Sequence, residues 1–204
     1  MVISMPSLTL FTEDAFHQDF LEALVDRFSR EYEVVVTLRP YSVRGGITKM
    51  HYELGEFLRD LQRNLEELPD AILAATDANC SSYVERRNLL EGVVADFTQF
   101  RYLMVYAIPD PHIERWMMAD AEAFRAVFGR GCTLPALKCE RALYKKLLSQ
   151  EIFNSGIRAP FGGREYAGDV VREMNLPRAE RNEASLGHLL TDLRRLFNQW
   201  SQPR

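Results

Sequence analysis

The run Pro69-Asp70-Ala71-Ile72-Leu73-Ala74-Ala75-Thr76-Asp77-Ala78-Asn79-Cys80 constrains this chain more than any other stretch. Its apolar centre stops at Asp-Ala-Asn and a helical pattern follows at once, so it reads as a buried parallel strand delivering an acid to its C-terminal edge. Open α/β sheets bind ligands at that edge. An aspartate with an asparagine two residues on offers oxygen side chains to one side of a short loop, which suits a hard cation such as Mg²⁺. The same residues are also good helix caps, because Asp77, Asn79 and Ser81 precede Tyr83-Val84-Glu85-Arg86-Arg87.

Upstream, Ser7 to Thr12 is a short β-rich run ended by Glu13-Asp14, and Ala15 to Arg30 carries Phe16, Phe20, Leu24 and Phe28 at helical intervals. Tyr32 to Leu38 is Val-rich and strand-like, and Arg39 to Gly46 reads as a loop with paired glycines. Lys49 to Leu68 is helical, with Leu54, Leu58, Leu61 and Leu65 as its apolar stripe. Asn88 to Phe97 continues a helix, and Arg101 to Ile108 is a further buried strand closed by Pro109-Asp110-Pro111. The order βαβαβαβ calls for a mostly parallel sheet with helices on both faces and right-handed crossovers.

Beyond Pro109 the strand signal stops. A helix is predicted from His112 to Asp120, with Asp110 as its cap and Pro111 at its first position. Ala121 to Phe128, Glu140 to Gln150, Gly168 to Met174 and Leu186 to Trp200 also look helical. The expected organisation is an α/β core over residues 7–110 and a helical extension over 111–204 packed on the same core, since no flexible linker separates them. Trp116 and the apolar stripe of Leu186, Leu189, Leu190, Leu193, Leu196 and Phe197 are expected in the core.

A hydrophobic share of 47% and a charged share of 26% fit an ordinary soluble globular protein, and a formal charge of -4 excludes a general electrostatic attraction to nucleic acid while leaving room for a local basic stripe. Arg86-Arg87, Lys138, Arg141, Lys145 and Lys146 are candidates for that stripe, with Lys138, Arg141 and Lys145 at helical spacing around Tyr144; the same pattern describes a solvated helix face. The three cysteines, Cys80, Cys132 and Cys139, have no metal-finger spacing, so a disulfide framework is not expected and a reducing cytoplasm is the simpler inference. The opening Met1 to Pro6 lacks a basic leader, and no uncharged run reaches the ~20 residues of a membrane span. Arg44-Gly45-Gly46 and Phe161-Gly162-Gly163-Arg164 match neither nucleotide-binding glycine motif, so ATP hydrolysis would belong to another protein.

Acids follow three strands: Glu13 the first, Asp77 with Asn79 the third, Asp110 with Glu114 the fourth. In a parallel sheet these ends share one edge, and carboxylates gathered there repel one another unless a cation neutralises them or one keeps a proton. This order of residues resembles the Toprim fold of topoisomerases, bacterial primases and OLD-type nuclease domains, in which a glutamate after the first strand and an Asp-x-Asp after the third hold catalytic Mg²⁺. The corresponding residues here are Glu13 and Asp77-Ala78-Asn79. Gly45-Gly46 and the segment from Ile108 to Asp120 look like the small stand-alone Toprim-like proteins often encoded beside an ATPase in bacterial defence modules.

The resemblance covers residues 7 to 120. It implies a nuclease that cleaves DNA or RNA phosphodiesters with Mg²⁺ or Mn²⁺, acts as the effector of an antiphage system, and has an ABC- or AAA-type ATPase as partner. Under that reading the metal candidates are Glu13, Asp77, Asn79, Asp110, Glu114 and Asp120, and the catalytic candidates are Glu13, Asp77, Glu114 and Lys138. His112 is a further acid/base candidate because its pKa lies near neutrality. Asn79 departs from the family's second acid and brings no charge, which Glu114 or Asp120 would restore. The alternative is a degenerate Toprim-like module that docks on an ATPase without catalysis; a homo-oligomer is compatible with either. A phosphotransfer receiver ranks third, since the lysine after the last strand and a fifth strand are both missing.

Overall fold

The computed structural model describes residues 5–43, 45–79, 81–140 and 142–202. Met1 to Ser4, Arg44, Cys80 and Arg141, each of which enters a sequence expectation, lie outside the described residues. Four strands, β1 (Ser7–Thr12), β2 (Thr37–Ser42), β3 (Ala71–Ala75) and β4 (Met104–Ala107), form one sheet in the order β2-β1-β3-β4. Every pairing is parallel, with Leu10 level with Pro40 on one side and Leu73 on the other, and Leu73 level with Val105. Parallel neighbours need long crossovers, and each connection contains a helix: α1 (Ala15–Glu31), α2 (Gly46–Gln62) and α3 (Tyr83–Val94).

Side chains alternate across the pleat, so each strand feeds two cores. Leu8, Leu10, Leu73, Ala75, Val105 and Ala107 pack against α1, while Phe11, Ile72, Ala74, Met104 and Tyr106 pack against α2 and α3. Both faces of the centre are thereby covered, which is why β3 is apolar at every position rather than alternating.

After β4 come α4 (Ile113–Met117), α5 (Ala121–Phe128), α6 (Leu143–Asn154), α7 (Ala167–Glu173), α8 (Leu176–Asn182) and α9 (Ala184–Trp200). Their buried residues, among them Trp116, Phe124, Leu148, Val170, Leu189 and Phe197, belong to the same cluster as Leu10 and Leu73. Each fully buried side chain of this size stabilises by about 1.5–3 kcal/mol, so the C-terminal helices supply much of the core on the α1 face. The fold is therefore α/β, a Rossmann-like parallel sheet flanked by helices, with helices at its C-terminal side.

Several boundaries differ from expectation. The second strand starts at Thr37, not Tyr32, so β2 overlaps the Val-rich stretch only at Thr37 and Leu38 and runs on through Pro40. As an edge strand β2 has neighbours on one side only, so the N–H that proline lacks costs nothing there. α2 stops at Gln62, leaving Leu65 68% exposed outside the stripe. Residues Ala95–Leu103 form a 3₁₀ helix with a kink at Phe97, so β4 starts at Met104 rather than Arg101. Asp110 does not cap the next helix: His112 is the N-cap residue of α4, and the first helical N–H, from Ile113, goes to Asp77 Oδ1 at 2.9 Å. Cys139 is disulfide-bonded, contrary to expectation, whereas Cys132 is a free thiol whose pKa burial pushes up to about 12. Cysteine spacing says little about which thiols meet after folding, and the inference of a reducing compartment loses that support. Among the described residues no helix is long and apolar enough to cross a membrane.

Candidate functional site

The chain leaves β1 toward β2 and leaves β3 toward β4, in opposite directions. That divergence opens a crevice at the C-terminal ends of β1 and β3, the usual ligand position in such sheets. Backbone bonds lace the loops there: Glu13 N donates to Ala75 O at 3.0 Å, Thr76 N to Ala107 O at 3.1 Å, Ala78 N to Pro109 O at 2.8 Å and Asn79 N to Pro111 O at 2.9 Å. The side chains at this edge are thus carried on a braced rim.

Asp77 stands at its centre. Its Oδ1 accepts from Ile113 N at 2.9 Å and faces His17 Nε2 at 3.1 Å, and its Oδ2 faces His112 Nδ1 at 2.9 Å. Facing a carboxylate, that Nδ1 carries the proton, which leaves His112 Nε2 as the imidazole's second working atom. Glu13 arrives from β1: its Oε2 accepts from Thr76 Oγ1 at 2.5 Å and from Asp77 N at 3.3 Å. Two helices and two strands separate Glu13 from Asp77 in sequence, yet the Glu13 carboxylate meets the Asp77 backbone amide.

His17 follows from local rules. Asp14 caps α1, accepting from Phe16 N at 2.9 Å and His17 N at 3.0 Å, and its Oδ1 also faces His17 Nδ1 at 2.8 Å. One helical turn thus aims a wholly buried imidazole at Asp77 with an aspartate behind it. Burial pulls the His17 pKa down, but the charge of Asp77 and the hydrogen bonds to both aspartates outweigh it and hold it well above 6.5. Burial raises Asp14 and Asp77 in turn, yet His17 beside both, with His112 on Asp77, keeps each below the usual carboxylate range. The chain Asp14–His17–Asp77–His112 is therefore a line of alternating charge.

The hydrogen bond to Asp77 raises the His112 pKa against the opposing effect of burial. His112 is one-fifth exposed at its side chain, so it reaches solvent where His17 does not. Glu114 is raised by burial and then by the charge of Asp77. His112 and His17 pull the other way without outweighing burial and Asp77.

The remaining predicted site residues are dispersed. Asn79 has a left-handed backbone at φ 56 and its Nδ2 donates to the Asp77 carbonyl at 3.4 Å, so it braces the loop. Asp110 contributes its backbone N–H to Ser185 Oγ at 3.2 Å. Asp120 is fully buried in another role, accepting from Arg178 Nε at 2.7 Å and Nη2 at 2.8 Å and capping α5 through Glu122 N at 3.1 Å. Lys138 is exposed in the segment before α6, not on that helix, and its backbone N–H donates to Tyr144 Oη at 2.7 Å; the helical spacing with Lys145 does not hold.

His17 was missed by sequence reasoning, although Asp14-x-x-His17 at a helix start is a readable signal: a cap followed by a side chain over the same turn. Behind the rim, Trp116 Nε1 donates to Ser185 Oγ at 2.8 Å, Ser185 Oγ donates to Glu183 Oε1 at 2.8 Å, and Arg115 Nε donates to Glu183 Oε2 at 2.8 Å. These buried bonds tie α4 to the start of α9 and so position His112 and Glu114.

Compared with known proteins, the chain matches no family model, no curated protein and no solved structure. The site is read from its own chemistry. Glu13, Asp77 and Glu114 are oxygen donors of the kind Mg²⁺ takes. Among the described residues no group of three or more His, Cys, Asp or Glu is placed to hold a metal ion, and the Asp77 oxygens meet N–H donors from His17, His112 and Ile113.

Proposed function

We propose that this chain is a Toprim-like hydrolase of nucleic-acid phosphodiesters dependent on Mg²⁺ or Mn²⁺, working as the effector beside an ATPase in an antiphage system. The observation that carries the reading is the convergence of Glu13 and Asp77 at the β1/β3 crevice, with Glu13 Oε2 3.3 Å from Asp77 N. Glu13, Asp77 and Glu114 would hold the ion, whose chemistry is to polarise a phosphoryl oxygen and lower the pKa of water.

The chain's own residues do the rest. His112, fixed through Nδ1 on Asp77, presents Nε2; with its pKa raised, a larger share is protonated near neutrality, which fits a proton donor to the departing oxygen. His17 holds Asp77 ionised and fixed in place.

Purified protein given Mg²⁺ or Mn²⁺ is expected to nick or degrade DNA or RNA, and Glu13→Ala and Asp77→Ala to abolish this with an unchanged circular dichroism spectrum. Equal cleavage by all three proteins would remove the reading. One observation favours a second: Asp77 already accepts three N–H donors and Asn79 brings no charge, as in a degenerate module that docks on an ATPase. That reading gains if the folded protein neither cleaves nor binds divalent metal by calorimetry and co-purifies with an ATPase.

A further inference from the structure

Among the described residues, Thr12 Oγ1, His51 Nε2 and Arg86 Nε are buried polar atoms with no hydrogen-bond partner. Native interiors satisfy nearly all such atoms, so each exception asks for a physical reason. All three lie toward the C-terminal side of the sheet: Thr12 ends β1, His51 is in the second turn of α2, and Arg86 is in the first turn of α3.

Arg86 is the most telling. It is 6% exposed, its Nη2 donates to the Ala78 carbonyl at 3.0 Å inside the loop that carries Asp77, and among the described residues no carboxylate pairs with it. A guanidinium enclosed to that degree is costly unless an anion answers its charge. His51 stands on the same face of the sheet: its neighbour Met50 and Leu54 of α2 share one buried cluster with Leu90 of α3 and with Ala78, whose carbonyl Arg86 holds, and burial and then the charge of Arg86 keep the His51 pKa below 6.5.

The start of α2 is a second, independent feature pointing the same way. This 17-residue helix has Gly45 as N-cap, no acid in its first turn and, among the described residues, no side-chain cap on its first N–H groups. Helix starts ordinarily recruit an acid or a cap, so this one leaves the positive end of its dipole open to an outside anion. Gly45 at φ 142 and Gly46 at φ 76 hold backbone that side-chain-bearing residues rarely adopt; the Lys49 stem covers Gly45, where a Cβ would come within 2.8 Å of Lys49 Cδ, while a Cβ on Gly46 would meet nothing within 4 Å, so the helix start is open at Gly46.

We infer that Arg86, His51 and the first turn of α2 form a phosphate-binding subsite beside the Asp77 loop, which takes a phosphate of the nucleic-acid strand whose scissile bond lies at Glu13 and Asp77. The identity of the strand rests on the hydrolase reading; the affinity for phosphate does not. A guanidinium and helix N–H groups are suited to phosphate oxygens because each donor is fixed in direction before the anion arrives.

The test needs neither metal nor cleavage. In EDTA, inorganic phosphate and, separately, a single-stranded oligonucleotide are titrated into ¹⁵N-labelled protein while the His51 imidazole resonances are followed. Both are expected to shift them saturably, Arg86→Met to weaken the binding by roughly tenfold or more, and His51→Gln, read on the α2 amides, by several-fold. Thermal melting separates this from a strut role: with no anion present, Arg86→Met is expected to melt at or above the wild-type temperature, since it removes an unanswered buried charge. Absence of any shift at saturating phosphate and oligonucleotide, or equal binding by wild type and Arg86→Met, would overturn the subsite. Binding without cleavage in Mg²⁺ would sink the hydrolase reading alone, and cleavage without binding would sink the subsite alone.

Discussion

Asp77 and Asp120 are both enclosed carboxylates beyond the sheet, with side chains 17% and 0% exposed, yet their partners differ in kind. Asp120 is gripped by Arg178, by Asn175 N at 2.7 Å and by the start of α5. Those donors keep their protons at any pH a protein meets, so that node is a joint. Asp77 is gripped by two imidazoles and one amide. Two of its three partners are titratable imidazoles, both raised by their contact with it, and a third carboxylate, Glu114, is raised by burial and then by its charge. Burial alone therefore does not separate the two acids; the protonic character of their neighbours does, and perturbed groups of the Asp77 kind are where proton chemistry is sought.

The sharpest test of that contrast is His112→Gln, which keeps the size and polarity of the side chain but removes the proton exchanged at Nε2. If the chain is the hydrolase proposed above, cleavage is expected to fall about 10²- to 10⁴-fold, the usual contribution of a general acid or base, with the circular dichroism spectrum retained and the melting temperature lowered slightly by loss of the Nδ1 bond to Asp77. Asp120→Ala should do the reverse. Breaking its pair and cap is expected to cost about 2–4 kcal/mol in urea unfolding, because Arg178 is partly solvated and recovers some of its hydration. Its activity per folded molecule should stay at the wild-type level, and a loss there would dissolve the distinction.

The smallest effect concerns pH. With its folded pKa raised, His17 contributes stability that is complete below its unfolded value near 6.5 and is lost as pH climbs through the higher folded value. Asp14 and Asp77, both depressed, contribute stability that is present above 3.8 and fades as pH falls through their folded values. The cluster should be firmest between about pH 4 and 6.5. Urea midpoints measured across pH should decline on the alkaline side for wild type, and His17→Gln should flatten that decline.

The sheet was legible because Ala71 to Ala75 is apolar throughout and halts at Asp77, a pattern only a doubly covered strand needs. The second strand was not, since Val34, Val35 and Val36 resemble a strand more than Thr-Leu-Arg-Pro-Tyr-Ser does. Pairing at an open edge overrides propensity, and the sequence of β2 alone carries no trace of its partner. At the site, Glu13 and Asp77 could be read because topology sends both to one rim. The partners of Asp77 could not, because His17 and His112 reach it from opposite directions across long sequence gaps, and only folded geometry shows which carboxylate an imidazole meets. Asp120 was misplaced for the same reason: its charge was visible and Arg178 was not.

The amide of Ile113 has one further consequence. It opens α4 by leaning on Asp77, so the helix that bears Glu114 and Trp116 takes its first anchor from the very oxygen a ligand would compete for. Whatever draws on that oxygen also tugs the helix, and through Trp116 and Ser185 the pull continues to the start of α9. A ligand that took this oxygen from Ile113 would thus leave the C-terminal helices without one of their ties to the crevice.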